Sequence, residues 1–281
     1  MVQSEQKGLY DERFEHDACG IGFVASLKGK KTHDIVKNAI IMLENMEHRG
    51  ATGFEHNTGD GAGVLFQIPH RFFSDECTKI GVLLPKAGEY GVGMIFFPKD
   101  AKMREECRRI LNNNLDDMGL SVLGYRDVPC NRYDIGKSSL AEEPKIEQVF
   151  VVPKQKMDPD MFERKMYVVR NWTQHVIAKT YPQIKDDFYV VSFSHRNITY
   201  KGMLTTHQLR TYYKDLNDER IVSSLAMIHS RFSTNTFPKW KLAQPFRYIA
   251  HNGEINTIRG NINWSRSNQT LLESSLFTKD E

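Results

Sequence analysis

The segment HDACGIGF, residues 16–23, puts Cys19 between the small Ala18 and the conformationally permissive Gly20. Two readings fit these residue types. A free cysteine packs as a small apolar side chain, and buried cysteine is common. A cysteine that becomes the first residue of a cut chain is a different reagent, because its thiol then lies beside its own α-amine. That amine, with a pKa of about 8, is a usable general base at neutral pH, and glycine on the far side lets a substrate approach the backbone. The residues ahead of it suit the second reading. Residues 1–18 carry five acids (Glu5, Asp11, Glu12, Glu15, Asp17) against two bases (Lys7, Arg13), so they read as a propeptide cut between Ala18 and Cys19.

Two stretches in the last third could supply the other half of a site. HSRFSTNT, residues 229–236, sets Arg231 at the end of an apolar run, where its planar fork could take a carboxylate in two parallel hydrogen bonds; a surface salt bridge is the plainer alternative. HNGEIN, residues 251–256, follows an apolar Tyr-Ile-Ala and sets the Asn252 amide beside the Gly253 N–H. Those are two neutral donors that could hold a developing oxyanion, although Asn-Gly is first of all a turn signal. Two glycine-rich stretches invite cofactor readings. GIGFVA, residues 20–25, fits a dinucleotide fingerprint formally, but polar residues precede it and the run itself reads as strand. TGDGAG, residues 58–63, could nest a phosphate but lacks the Lys-Ser/Thr of a P-loop, so a tight turn is preferred.

The elements that must carry these residues follow from periodicity. Strands are predicted over GIGFVASL after Cys19, VLFQIP after Gly63, Tyr90–Pro98, Leu120–Val128, Ile146–Pro153, and residues 187–194, 223–232 and 246–253. Helices are predicted from Thr32, as N-cap, to about Arg49 with Ile35, Ala39, Leu43 and Met46 inward. Further helices are expected over Ala101–Met118, over Asp158–Thr180 with Met161, Met166, Val169, Trp172 and Val176 inward, and near Thr206–Leu216 and Asn256–Leu272. Strands and helices without strict alternation point to α+β layers around one core.

With 281 residues, 40% hydrophobic and 26% charged, the chain can bury a full core. It has no apolar run of membrane-spanning length and no secretory signal, which points to the cytoplasm. Thirty-eight bases against 35 acids, interspersed, leave no footprint of a nucleic-acid binder. Cys19, Cys77, Cys107 and Cys130 have no metal-ligand spacing, so no metal site is expected. The sequons at Asn171 and Asn197 carry no weight without a secretory signal.

Taken together, CGIGF, MEHRGATG with TGDGAG, SRFSTNTFPKW and AQPFRYIAHNGEINTIRGNINW resemble the class II glutamine amidotransferases of the N-terminal-nucleophile type, in their glutamate synthase branch. The resemblance runs from Cys19 to about Phe277 and implies a four-layer αββα Ntn-hydrolase sandwich. It implies that residues 1–18 are a propeptide and 19–281 an amidotransferase domain truncated at its C-terminal end. Cys19 would be the nucleophile on L-glutamine with its own α-amine as base, Asn252 and the Gly253 N–H would hold the oxyanion, and Arg231 would take the substrate α-carboxylate. Phe232, Thr234 and Asn235 would line the glutamine pocket. The ammonia released would pass to a downstream synthase domain bearing FMN and an iron–sulfur cluster, where it adds to 2-oxoglutarate, with a small reductase subunit as a further partner. No cofactor is implied for this chain itself. The residue expected to take the substrate α-amino group has no counterpart before Glu281. Alternatives within the residue reading are an amidotransferase serving another acceptor and an unprocessed, non-catalytic module.

Overall fold

The computed structural model describes residues 20–231, 236–247, 249–251, 253 and 258–278. The chain enters through β1 (Ile21–Ala25), turns at Gly29, and forms α1 (His33–Asn45), β2 (Ala62–Gln67) and α2 (His70–Thr78). It continues through β3 (Gly91–Phe97), α3 (Ala101–Asp117), β4 (Leu120–Asp127), the short α4 (Lys137–Ala141), β5 (Lys145–Pro153) and the long α5 (Pro159–Thr180). Then come β6 (Tyr189–Ser194), β7 (Asn197–Gly202), α6 (Gln208–Tyr212), β8 (Leu225–Ser230) and α7 (Arg259–Gln269).

The strands form two antiparallel sheets of four, ordered β1-β8-β2-β7 and β4-β5-β3-β6. Helix α1 packs on β1 and β8 of the first sheet, and α3 and α5 cover the second. This is the α+β architecture of two antiparallel sheets with flanking helices that the αββα expectation calls for. The sheets are joined where β6 passes into β7 through His195 and Arg196, a tight reversal in which Ser194 Oγ accepts from the Arg196 N–H at 2.9 Å.

Strand β3 is apolar throughout because both of its faces are buried. Val92, Met94 and Phe96 face the larger core, together with Val64, Phe66, Tyr200 and Ile228 of the first sheet. Ile95 and Phe97 face a second core with Leu111 and Leu115 of α3 and Met166 and Val169 of α5. A closed polar knot spans the sheets. Arg126 on β4 binds both carboxylate oxygens of Asp215 at 2.8 Å and Gln148 at 2.8 Å. Tyr200 on β7 donates to the same Asp215 and accepts from Gln148, each at 2.9 Å. Every member has a partner, which is the condition under which a buried charged network stabilises one arrangement.

Three expectations need correction. The inward face of α5 is Phe162, Met166, Val169, Thr173 and Ile177, not a stripe through Met161 and Trp172, which are 43% and 38% exposed. Thr173 is polar, but its hydroxyl accepts from Asn114 Nδ2 on α3 at 2.9 Å, which offsets the cost of burying it. The run from Phe246 is not a strand. Phe246 and Ile249 pair with each other around Arg247, whose φ of 57° makes a turn. Three elements went unread, α2 behind Pro69, the short α4, and β7, where Ile198 and Tyr200 alternate with the equally buried Thr199 and Lys201. Helix α1 begins as expected at Thr32, but that residue is engaged in a two-way backbone bridge with Ser223 rather than in a side-chain cap. No helix among the described residues is long and apolar enough to cross a membrane.

Candidate active site

The glycine-rich blocks fold onto one another. The Asp60 N–H donates to the Ala51 carbonyl at 2.8 Å and the Gly53 N–H to the Thr58 carbonyl at 3.0 Å. Thr58 in turn donates to Glu55 at 2.7 Å, and Glu55 also accepts from the Ser138 N–H at 3.0 Å. Glycine is required here by close approach. A Cβ on Gly59 would lie 2.2 Å from the Leu204 carbonyl, and one on Gly63 would lie 2.3 Å from the Gln244 oxygen.

This loop receives an arginine. Arg231 follows the last residue of β8, and its N–H donates to the Gly61 carbonyl at 2.8 Å. Its guanidinium forms an ion pair with the Asp60 carboxylate and donates to Thr236 Oγ1 at 2.7 Å. Arg231 and Asp60 are 8% and 5% exposed, so the surface salt bridge considered for Arg231 is excluded. In that setting the pair has lost most of its hydration and is held by geometry. Beside it, the Ser230 N–H donates to the Gly20 carbonyl at 2.6 Å, and β1 runs antiparallel to β8 with Ile21 opposite His229. The residue before Gly20 is Cys19.

The segment from Trp240 to His251 is pinned to the first sheet and its neighbours. Trp240 donates through Nε1 to the Ser139 carbonyl at 2.9 Å, and its ring lies on Gly202, where a Cβ would approach to 2.4 Å. Lys201, fully buried on β7, donates to the carbonyls of Lys241, at 2.9 Å, and Ala243. Its Nζ also sits 4.2 Å from the Phe246 ring centre and 4.9 Å from that of Tyr189. Burial, with Arg247 adding to it, pushes the Lys201 amine well below the usual lysine range. Both backbone groups of His251 are held by one side chain. The His251 N–H donates to Gln244 Oε1 and Gln244 Nε2 donates to the His251 carbonyl, each at 3.0 Å. His229 Nε2 lies 2.9 Å from the same carbonyl and so carries the proton that it donates. Gly253, two residues on, is exposed.

Three blocks far apart in sequence therefore meet at the end of β8: the start of β1, the Asp60 loop, and the chain around His251. Of the residues singled out from sequence, Arg231 belongs to this assembly, and Gly253 lies two residues beyond His251, with only the His251 ring near it among the described residues. Cys19, Phe232, Thr234, Asn235 and Asn252 lie outside the described residues. Asp60, His229 and Gln244 were not singled out as site residues. Each lies inside a motif block, but Asp60 was read only as part of a glycine turn and the other two went unremarked. The remaining thiols are poor nucleophiles. Burial pushes Cys77 and Cys107 up to about 12 and Cys130 up to about 11. A cavity of about 310 Å³ lined by Phe96, Asp186, Lys239, Trp240 and Lys241 adjoins the pinned segment but includes neither Arg231 nor Gly253.

The dinucleotide fingerprint and a metal cluster find no support among the described residues. GIGFVA forms the edge strand β1 rather than a strand-to-helix turn, and no three described His, Cys, Asp or Glu side chains are grouped to hold a metal.

The family model of class II glutamine amidotransferases matches residues 19–281, and the chain belongs to that family. The match opens on Cys19. Within the family, the chain is 47% identical to the glutamate synthase [NADPH] large chain of Bacillus subtilis, over 98% of this chain and 18% of that protein. It is 43% identical to the glutamate synthase [NADH] of Schizosaccharomyces pombe, over 98% of this chain and 13% of the relative. It is 40% identical to the chloroplastic ferredoxin-dependent glutamate synthase 2 of Arabidopsis thaliana, over 96% and 16% respectively. The chain thus spans less than a fifth of the length of these curated relatives.

Proposed function

We propose that residues 19–281 form the glutaminase domain of a glutamate synthase, with residues 1–18 a propeptide whose removal frees the α-amine of Cys19. The observation that carries this reading is the β1–β8 pairing, in which the backbone next to Cys19 is bonded to the backbone next to the buried Arg231. That arrangement suits a substrate held by an α-carboxylate at one end and attacked at the far amide. Arg231 binds the α-carboxylate of L-glutamine, and Phe232, Thr234 and Asn235 line its path. The Cys19 thiol gives its proton to its own α-amine, and Sγ bonds to the carbonyl carbon of the γ-carboxamide. The carbonyl electron pair moves to oxygen, where the Asn252 amide and the Gly253 N–H donate to it. Collapse of this adduct breaks the C–N bond; ammonia leaves with the proton from the α-amine. Water then cleaves the thioester to give L-glutamate and the free thiol.

In the complete enzyme the ammonia adds to 2-oxoglutarate in a synthase domain, and FMN and an iron–sulfur cluster are held there rather than by this chain. The test is a γ-electrophilic glutamine analogue followed by intact mass. A chain beginning at Cys19 gains one adduct on Cys19 and hydrolyses glutamine, whereas a chain still beginning at Met1 does neither. Undiminished labelling in Cys19→Ala overturns the assignment of the nucleophile.

A further inference from the structure

The His251 peptide is held by two side chains that come from elsewhere in the chain. Gln244 presents its carboxamide edge-on, accepting from the His251 N–H and donating to its carbonyl at 3.0 Å each. It thereby supplies in one side chain the pair of bonds that a neighbouring strand would give. His229 donates to the same carbonyl at 2.9 Å. Both side chains are nearly immobile. His229 is 2% exposed on the central strand β8, and Gln244 is 8% exposed. Gln244 cannot retreat, because its own carbonyl lies against Gly63 of β2 and the carbonyl of the preceding Ala243 is held by Lys201. The His251 N–H belongs to the peptide shared with Ala250 and the His251 carbonyl to the peptide that leads onward, so these bonds hold the planes on both sides of His251 and thereby the direction in which the chain leaves it. The chain continues into Asn252 and Gly253.

We infer that Gln244 and His229 are positioning residues for the oxyanion donors: by holding the peptides on both sides of His251 they fix the point and direction from which the Asn252-Gly253 pair is presented. This rests on the glutaminase reading above and adds to it the means of preorganisation. Donors of this kind help only if they are already oriented when the adduct forms, since reorientation during the reaction uses up the energy they would contribute. The two residues also couple the site's ends. His229 on β8 and Arg231 directly after its last residue stand two positions apart, so the carboxylate-binding group and the lock on the oxyanion turn share a single support. Neither Gln244 nor His229 touches substrate in this scheme. Their effect is therefore confined to steps that place negative charge on the γ-oxygen.

The experiment compares the processed full chain with Gln244→Ala, which removes both bonds to His251. It also uses Gln244→Glu, which keeps the side-chain shape and the acceptor but deletes the donor. Four quantities are measured: kcat and KM for L-glutamine, inhibition by L-glutamate, inhibition by its γ-aldehyde analogue, and the rate of Cys19 alkylation by iodoacetamide. The aldehyde accepts the Cys19 sulfur at its carbonyl carbon and pushes the electron pair onto oxygen, so it reports on the oxyanion donors. L-Glutamate binding and alkylation do not form an oxyanion. The expected result is a fall in kcat of about tenfold to a hundredfold with an equal weakening of the aldehyde. KM, L-glutamate inhibition and the alkylation rate stay within about twofold. Unchanged kcat in both variants overturns the inference, and so does a fall of all four readouts together, which would mark a general structural role. If Gln244→Ala does not fold, Gln244→Glu decides alone on the same criteria. A processed wild-type chain that hydrolyses no glutamine brings down the glutaminase reading and this role with it, whereas active wild type with unaffected variants removes only this role.

Discussion

Asp60→Asn separates what the buried ion pair does for the fold from what it does for a ligand. In the free protein the Asp60 carboxylate is the counter-ion of Arg231, and both groups are more than nine-tenths buried. Asparagine keeps the shape and one acceptor oxygen but removes the charge, so among the described residues the buried guanidinium is left with neutral partners. Replacing a charge-assisted bond by a neutral one in such a place costs about 2–3 kcal/mol. With an unfolding entropy of about 2.1 cal/mol/K per residue, the 281 residues convert this into a Tm lower by roughly 3–5 °C. The assay is thermal unfolding of Cys19→Ala and of Cys19→Ala/Asp60→Asn, each without and with saturating L-glutamate. L-Glutamate carries the same α-carboxylate as glutamine and is not turned over. Because that carboxylate replaces the missing counter-ion, the ligand stabilises the Asp60→Asn chain by about 1 kcal/mol more than its parent, a roughly fivefold tighter Kd. Equal Tm values without ligand refute the claim that Asp60 neutralises Arg231. A ligand shift no larger in Asp60→Asn than in the parent refutes the claim that the substrate carboxylate and Asp60 share one guanidinium.

Gly63→Ala introduces a Cβ 2.3 Å from the Gln244 oxygen and 2.6 Å from the Lys201 Cβ; the backbone must give way, costing about 1–3 kcal/mol in chemical denaturation and lowering glutaminase kcat through the displaced Gln244. The Arg220 guanidinium, bonded to the side chain of Asp218, holds that carboxyl below its ordinary value of 3.8. Since the folded state binds the proton less readily than the unfolded one, this contribution is complete above about pH 4 and disappears as pH falls through the folded pKa. The pair is partly exposed, so Asp218→Asn lowers stability at pH 7 by no more than about 1 kcal/mol, and the urea midpoints of the two proteins converge once the pH has fallen below the folded-state pKa of Asp218.

Much of this protein is determined by local sequence. The alternation and length of the apolar runs place β1 to β5, β6, β8 and the long helices, because those segments bury whole faces and the period of burial is written in residue type. The motif blocks around Cys19, Arg231 and Asn252-Gly253 likewise suggest the proposed chemistry, since few residue types can act as nucleophile, carboxylate clamp or oxyanion donor. What the sequence left undecided depends on partners distant along the chain. Strand β7 hid its signal because Lys201 and Thr199 are polar, and only the carbonyls of residues 241 and 243 and two aromatic rings make a buried lysine tolerable. The stretch ending at His251 looked like a strand and is not one, because a glutamine side chain supplies the bonds that a strand would have taken. Asp60 looked like part of a glycine turn until β8 brought Arg231 to it from 171 positions away. Residue type sets which groups can react; which of them share a counter-ion, a carbonyl or a peptide plane is decided by strand pairing, because only there do distant side chains come within bonding distance.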